Sequence, residues 1–361
     1  MFAKRIRTFL VAISLACPAI GSAAELDLNN PFYFTYGNVN VYSLPILATL
    51  YDSIFHTGTG PGNPYYVVST PGAIKDLVVV YTGSNGTGVT TNTSGFEDAY
   101  GAPNGTVAFA TTAPTGMTAP DPNTGKTILN QVTSAWDASV GALQDFLGTG
   151  ATPVFLFNNN DTNQDQNLAI WAKLWITDPN NNLYGQYLYL SNEMQQYGQG
   201  GVAGGNALTY NPGPLTQPGV TLPPPNLLTD YVLAGGTVCL DAVFTIVPCS
   251  GPHTYLINHN LGANQVAYAG QVPLLNTYLS QISGLGNADD YTMHIELFLG
   301  CDPRIGVLTC TNFKIDNGFE QLFIASTGQT FDNPEPNSVA LVALALLGLG
   351  GVSWRSARRK G

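Results

Sequence analysis

The sequence predicts a mainly β protein, a β-sandwich or jelly-roll-like ectodomain with one packed amphipathic helix, an N-terminal signal peptide and one C-terminal transmembrane helix. Three observations point there. Only 10% of the residues are charged while 44% are hydrophobic and 11% aromatic, so a chain this long can bury a sizeable core. The 40 glycines and 24 prolines, with abundant Asn and Thr, supply turns and disfavour helices. Short β-branched and aromatic runs bounded by turn residues recur along the chain.

The N-terminus reads as a leader over residues 1–24. Lys4, Arg5 and Arg7 form a positive region, Phe9 to Ala16 an apolar one, and Ser22-Ala23-Ala24 a small-residue cleavage site that releases a chain beginning at Glu25. The expected partners at this step are the Sec translocon and signal peptidase. A rival reading makes Cys17 a lipidated cysteine, but the lipobox needs Leu where Ser14 stands.

Between Glu25 and Glu335 lie all twenty-three Asp and Glu but only five basic residues, Lys75, Lys126, Lys173, Arg304 and Lys314, a formal charge of −18. A phosphate backbone needs a basic face, so nucleic acid is excluded as a natural partner. The acidity suits solubility and divalent cations.

Phe32 to Tyr36 and Val39 to Tyr42 predict strands broken at Gly37-Asn38, and Leu77 to Tyr81 predicts another closed by Gly83-Ser84-Asn85-Gly86. Residues 83–125 read as a long loop region with one strand near Val107 to Thr111. Asn85, Asn92 and Asn104 match Asn-x-Ser/Thr, a pattern that an Asn- and Thr-rich chain produces readily by chance.

The predicted helix rests on Trp136, Val140, Leu143 and Leu147, one apolar stripe with Ser134 as its start and Gly148 as its stop. Pro153 to Phe157, an Asn/Asp-rich loop and Leu168 to Ile176 then read with the helix as one unit. Asp178 to Asn182 turns the chain into Leu183 to Leu190, where Tyr184, Tyr187 and Tyr189 can pack across strands. In the loop Asn158 to Asn167, Asp161, Asn163 and Asp165 alternate as the first oxygen ligands of a calcium loop do. Gln166 stands where that loop needs Gly and Ala172 where it needs Glu, so calcium here requires ligands from elsewhere. A metal-free Asx-turn connection is the competing reading.

Pro212 to Pro225 reads as an extended connector and a candidate lobe boundary at 212–225. Of the four cysteines beyond the leader, Cys239 with Cys249 and Cys301 with Cys310 form two local pairs. An exported chain and the absence of Cys-x-x-Cys spacing favour disulfides over metal thiolates, with these pairings expected and the other two connectivities open.

The end of the chain carries Pro334-Glu335-Pro336, then seventeen uncharged residues from Ser338 to Trp354, then Arg355, Arg358, Arg359 and Lys360. As a helix the run reaches about 25 Å, just enough to span once the basic stems snorkel. The basic cluster holds that end on the cytoplasmic side. This order resembles the PEP-CTERM sorting signal of bacterial exosortase substrates, over residues 332–361. The resemblance implies cleavage near Pro334-Glu335-Pro336, a temporary anchor and exosortase as a partner, with glycosylation on Ser or Thr. The segments Asp230 to Asp241, Asn258 to Ala269, His294 to Cys301 and Glu320 to Ile324, with Phe157-Asn158-Asn159-Asn160 and Leu168 to Ala172, resemble the ectodomain of one subgroup of that family. They bring no catalytic roles.

No Gly-x-Ser-x-Gly elbow or His-Glu-x-x-His helix appears among the four histidines, His56, His253, His259 and His294. His259 reads as a hydrogen-bonded turn residue. Asp289, Asp290 and Glu296 are the carboxylates a glycosidase reading would use. The expected product is not an enzyme. It is an exported surface or matrix protein with a structural, adhesive role linked to exopolysaccharide in biofilm or floc formation, with calcium as a bridging ion. The alternative is a carbohydrate-binding module stacking sugars on tyrosines and on Trp171 or Trp175. Those tryptophans share one face at strand spacing and are more often core.

Overall fold

In the computed structural model the chain divides into two units, Met1–Phe331 and Asp332–Gly361. The structure describes residues 26–29, 33–36, 38–69, 77–82, 92–101, 128–148, 150–158, 169–191, 216–217, 220–221, 237–247, 249, 251–259, 261, 265–300 and 321–327, all in the first unit. The sorting signal, Cys301 and Cys310, the Asp161–Asn163–Asp165 loop and the strand expected near Val107 lie outside them. No helix of the described residues is long and apolar enough to cross a membrane.

The described chain is mainly β, with antiparallel sheets and three α-helices. Its first part runs β1 (Phe34–Tyr36), β2 (Val39–Ser43), α1 (Leu44–Phe55), β3 (Val78–Thr82) and β4 (Tyr100–Gly101). Then come β5 (Trp136–Ser139), α2 (Val140–Leu147), β6 (Pro153–Asn158), β7 (Ala169–Thr177) and β8 (Leu183–Ser191). The short strands β9 (Thr216–Gln217) and β10 (Val220–Thr221) pair with each other inside the proline-rich connector, where only an extended chain was expected. The last part holds β11 (Thr237–Leu240), β12 (Ile246–Val247), β13 (Tyr255–Asn258), β14 (Tyr268–Gln271), α3 (Pro273–Ser283), β15 (Thr292–Gly300) and β16 (Gln321–Ser326).

The largest sheet has the order β1-β2-β14-β6-β16-β3-β4, and a second has β5-β15-β7-β8. Every pairing in them is antiparallel except β3 with β4. Side chains alternate across a strand, and β6 shows the consequence. Phe155 and Phe157 enter the core shared with Ala172, Leu174, Ile295 and Leu297 of the second sheet, whereas Val154 and Leu156 enter a core with Leu44, Leu47 and Ala48 of α1. All six β6 residues are therefore buried, as an apolar strand covered on both faces requires. The strand β16, last in the described chain, sits inside this sheet between β6 and β3.

The expected helix is shorter than its apolar stripe suggested. Trp136 belongs to β5, the helix begins at Val140, and its cap is Ser139, whose Oγ accepts from Ala142 N, not Ser134. Strand and helix follow without a break and bury the same side. Trp136, Val140, Leu143 and Leu147 thus share one core and imitate a longer helical period. Gly148 ends the helix at φ 87°. Helices α1 and α3 were not expected. Each carries Pro in its first turn, where the missing N–H costs nothing, and Leu275, Leu279 and Ile282 of α3 are buried at helical spacing.

The expected unit of helix, β6, polar loop and β7 is also split, because β6 and β7 belong to different sheets. The β7–β8 hairpin forms as the sequence predicts. Asp178 Oδ1 accepts from the N–H of Asn180 and Asn182, and Asn181 takes a left-handed φ of 64°, an Asx turn. The disulfide Cys239–Cys249 ties β11 to the residues after β12 with Cα atoms 5.1 Å apart.

Candidate functional site

Two places on this scaffold gather chemistry. The first is the face of the β5-β15-β7-β8 sheet turned away from the shared core. Register sets Asp137 opposite His294 and His294 opposite Trp175, with Lys173 opposite Glu296. His294 Nδ1 lies 2.6 Å from Asp137 Oδ1, and its Nε2 lies 2.8 Å from Thr177 Oγ1. A carboxylate only accepts, so Nδ1 carries the proton, and in the neutral ring Nε2 accepts from the Thr177 hydroxyl. Val132 N–H donates to Asp137 Oδ2 at 2.6 Å. Glu97 lies alongside, accepting from Asp137 N–H at 3.1 Å and from Gln131 Nε2 at 3.3 Å.

The order acid, imidazole, hydroxyl is that of a nucleophilic triad, but burial decides its use. Asp137 and His294 are fully buried and the Trp175 ring stacks on the imidazole with centroids 4.8 Å apart. Lys173 Nζ then lies over the indole and bonds Glu296 at 2.9 Å. Burial pushes the Asp137 carboxyl up while the bond from His294 opposes it. Burial, and then the neighbouring Asp137 charge, push Glu97 up to about 8. A closed, mutually bonded cluster of this kind ties β5, β7, β15 and the 93–98 and 128–135 segments together.

The second place is a pocket with about 190 Å³ of open volume between α1, residues 59–67, β13 and the residues Leu261, Gln265 and Val266. Leu44, Ala48, Val67 and Val266 give it apolar walls, and Thr49, Tyr65, Tyr66, Asn258 and Gln265 contribute polar groups. Its walls are held from behind. Asn63 Nδ2 donates to Ala48 O and Gly58 O while its Oδ1 accepts from Tyr65 N–H, and Val266 N–H donates to Val67 O. Ser43 Oγ and His259 Nε2 lie 2.7 Å apart, both buried. Their chain neighbours Leu44 and Asn258 line the pocket, so this pair fastens the start of α1 to the end of β13. A much smaller space, about 50 Å³, lies between the two large sheets and is lined by core residues such as Phe155, Leu174 and Leu297. Neither space is lined by Thr177 or His294.

A family described as a domain of unknown function (DUF8239) matches residues 24–298, about three quarters of the chain. The chain belongs to that family. No curated protein and no solved structure matches it. The DUF8239 span contains Glu97, Asp137, Thr177 and His294 and the whole pocket, and it ends inside β15, leaving β16 outside.

Within the DUF8239 domain the sequence-derived candidates fare unevenly. His259 is hydrogen-bonded as expected, though buried. Asp289 and Asp290 sit in a 3-10 turn at Ala288–Asp290, and Glu296 lies six residues beyond Asp290 along an extended strand, about 20 Å at 3.3 Å per residue. Those carboxylates are not brought to glycosidase spacing, and Glu296 is paired with Lys173 instead. The Asn92 side chain bonds Val79 N–H, Val79 O and Glu97 O, a use of its amide incompatible with a sugar attached there. Trp175 is 8% exposed, which removes it as a sugar platform. The groups that sequence reasoning missed are Asp137, Glu97, Thr177 and the pocket, all assembled over long sequence separations. Among the described residues no group of three or more His, Cys, Asp or Glu side chains is placed to hold a metal ion.

Proposed function

We propose that this chain is an exported, exosortase-sorted protein of the cell surface or extracellular matrix with a structural and adhesive role toward exopolysaccharide during biofilm or floc formation. The observation that carries the reading is the order of signals at the two ends, a leader at 1–24 and Pro334-Glu335-Pro336, apolar run and basic cluster at 332–361. In this reading the ectodomain is a β-sandwich or jelly-roll-like body. Its tail crosses the inner membrane as a helix over 338–354 until exosortase removes it. Support comes from the Cys239–Cys249 disulfide, which suits an oxidising space, and from the acidic, lysine-poor ectodomain. Calcium bridges carboxylates between neighbouring chains, with Asp161, Asn163 and Asp165 as the first candidates.

The closed state of the Asp137–His294–Thr177 cluster favours a scaffold over an enzyme. The carbohydrate-binding alternative loses Trp175 as its stacking platform. Intact mass and cell fractionation of the native protein, with and without exosortase, test the reading. A mature form lacking the tail and recovered outside the cell supports it. A form that keeps the tail in the inner membrane in both strains overturns it.

A further inference from the structure

We propose that the pocket between α1 and β13 binds one unit of a neutral saccharide. Among the described residues that line it none is an Asp, Glu, Lys, Arg or His, although the chain carries a net charge of −11. Phosphates, carboxylates and free cations therefore find no counter-charge there, and an ion would lose hydration without compensation. What remains is a ligand with apolar faces and many uncharged hydrogen-bonding groups. A pyranose ring is such a ligand: its C–H faces suit the Leu44 and Val67 walls and the Tyr66 ring, and its hydroxyls suit the Thr49 hydroxyl and the amides of Asn258 and Gln265.

The open volume within the pocket is about 190 Å³, less than the roughly 300–1,000 Å³ of a drug-sized site, which suits a single small ring. Stiffness agrees with this. The loop carrying Tyr65 and Tyr66 is pinned to α1 by Asn63 and by the Gly58 N–H to Asp52 Oδ1 bond of 2.5 Å. The opposite wall is pinned by Ser43 and His259. A preformed site loses less ordering entropy on binding than a mobile one. Leu256, 61% exposed, stands at the rim, where a chain-like ligand would continue outward. The exopolysaccharide reading above supplies only the source of the sugar; the pocket chemistry stands without it.

The test uses the full chain in mild detergent and an array of tetrasaccharides of glucose, mannose and galactose, beside a uronate-bearing tetrasaccharide and a neutral tetrapeptide. Saturable binding to a neutral tetrasaccharide is expected, at least tenfold tighter than to the uronate form. Tyr66→Ala weakens it at least tenfold. Leu256→Glu, a change at an exposed position that leaves the fold intact, weakens it severalfold with no change in melting temperature. The proposal is overturned if no neutral tetrasaccharide binds, if the uronate or the peptide binds more tightly, or if both variants bind as the parent does. Fractionation is independent of these outcomes. A chain that is sorted but binds no sugar removes the pocket assignment alone, and one that binds sugar but is never sorted removes the surface reading alone.

Discussion

The outer-face cluster and the pocket spend polar groups in opposite ways. Around His294 the molecule buries ionisable residues and lets each find its partner inside, so that the network is complete before any ligand arrives. Around Tyr66 it keeps charged groups away from the described lining, braces the walls from behind, and leaves space. Charge in the first case holds segments together, and its exclusion in the second leaves a surface that accepts an uncharged guest. The presence of an acid–imidazole–hydroxyl order is thus a weaker guide to activity than whether a cavity opens onto it.

Four changes sharpen or break this contrast. Asp137→Ala removes the buried acceptor of His294 Nδ1 and Val132 N–H and is expected to cost about 1.5–3 kcal/mol, read by chemical denaturation; a loss below about 1 kcal/mol would mean the cluster is no scaffold. Glu97→Gln acts through pH. With a folded-state pKa of about 8 against an ordinary 4.5, Glu97 binds its proton more tightly when folded, so its contribution is complete below 4.5 and is lost as pH rises through about 8. Parent stability should therefore fall by about 1.4 kcal/mol per pH unit between those values relative to the Gln variant. Parallel pH profiles would refute the buried acid.

Asn63→Ala removes the bonds to Ala48 O and Gly58 O and from Tyr65 N–H and should cost about 1–3 kcal/mol. It should also weaken saccharide binding more than its stability loss explains, seen by titration well below the melting temperature. Lys173→Met breaks the largely covered pair with Glu296, whose side chains keep 24% and 19% of their surface, and should change stability by about 1 kcal/mol or less. A large effect there would place the sheet's outer face under more electrostatic control than its burial implies.

Much of the fold was legible where local chemistry decides. The β7–β8 hairpin followed from Asp178 and its Asn-rich turn, and the Cys239–Cys249 bond from spacing and an expected leader. Helix α1 escaped because Val39 to Ser43 runs into Leu44 with no polar break, although Ser43 followed by Pro45 is a start signal. The β5–α2 junction misled because two periods placed their apolar residues on one core. The cluster was illegible in principle, since His294 and Asp137 are 157 residues apart and meet only through the β5–β15 register. The pocket draws on four separate segments for the same reason.

The place of β16 inside its sheet has a mechanical meaning. It is hydrogen-bonded along both edges, to β6 and to β3, and it is the last strand before the chain leaves the described structure at Thr327. Tension applied through the following residues would load both ladders in shear, bond against bond, instead of peeling an edge strand one rung at a time. The same position means that β6 and β3 can join one sheet only once β16, the last described strand, has paired with both. A cut beyond Thr327 spares that strand, whereas one before Gln321 would part β3 and β4 from the rest.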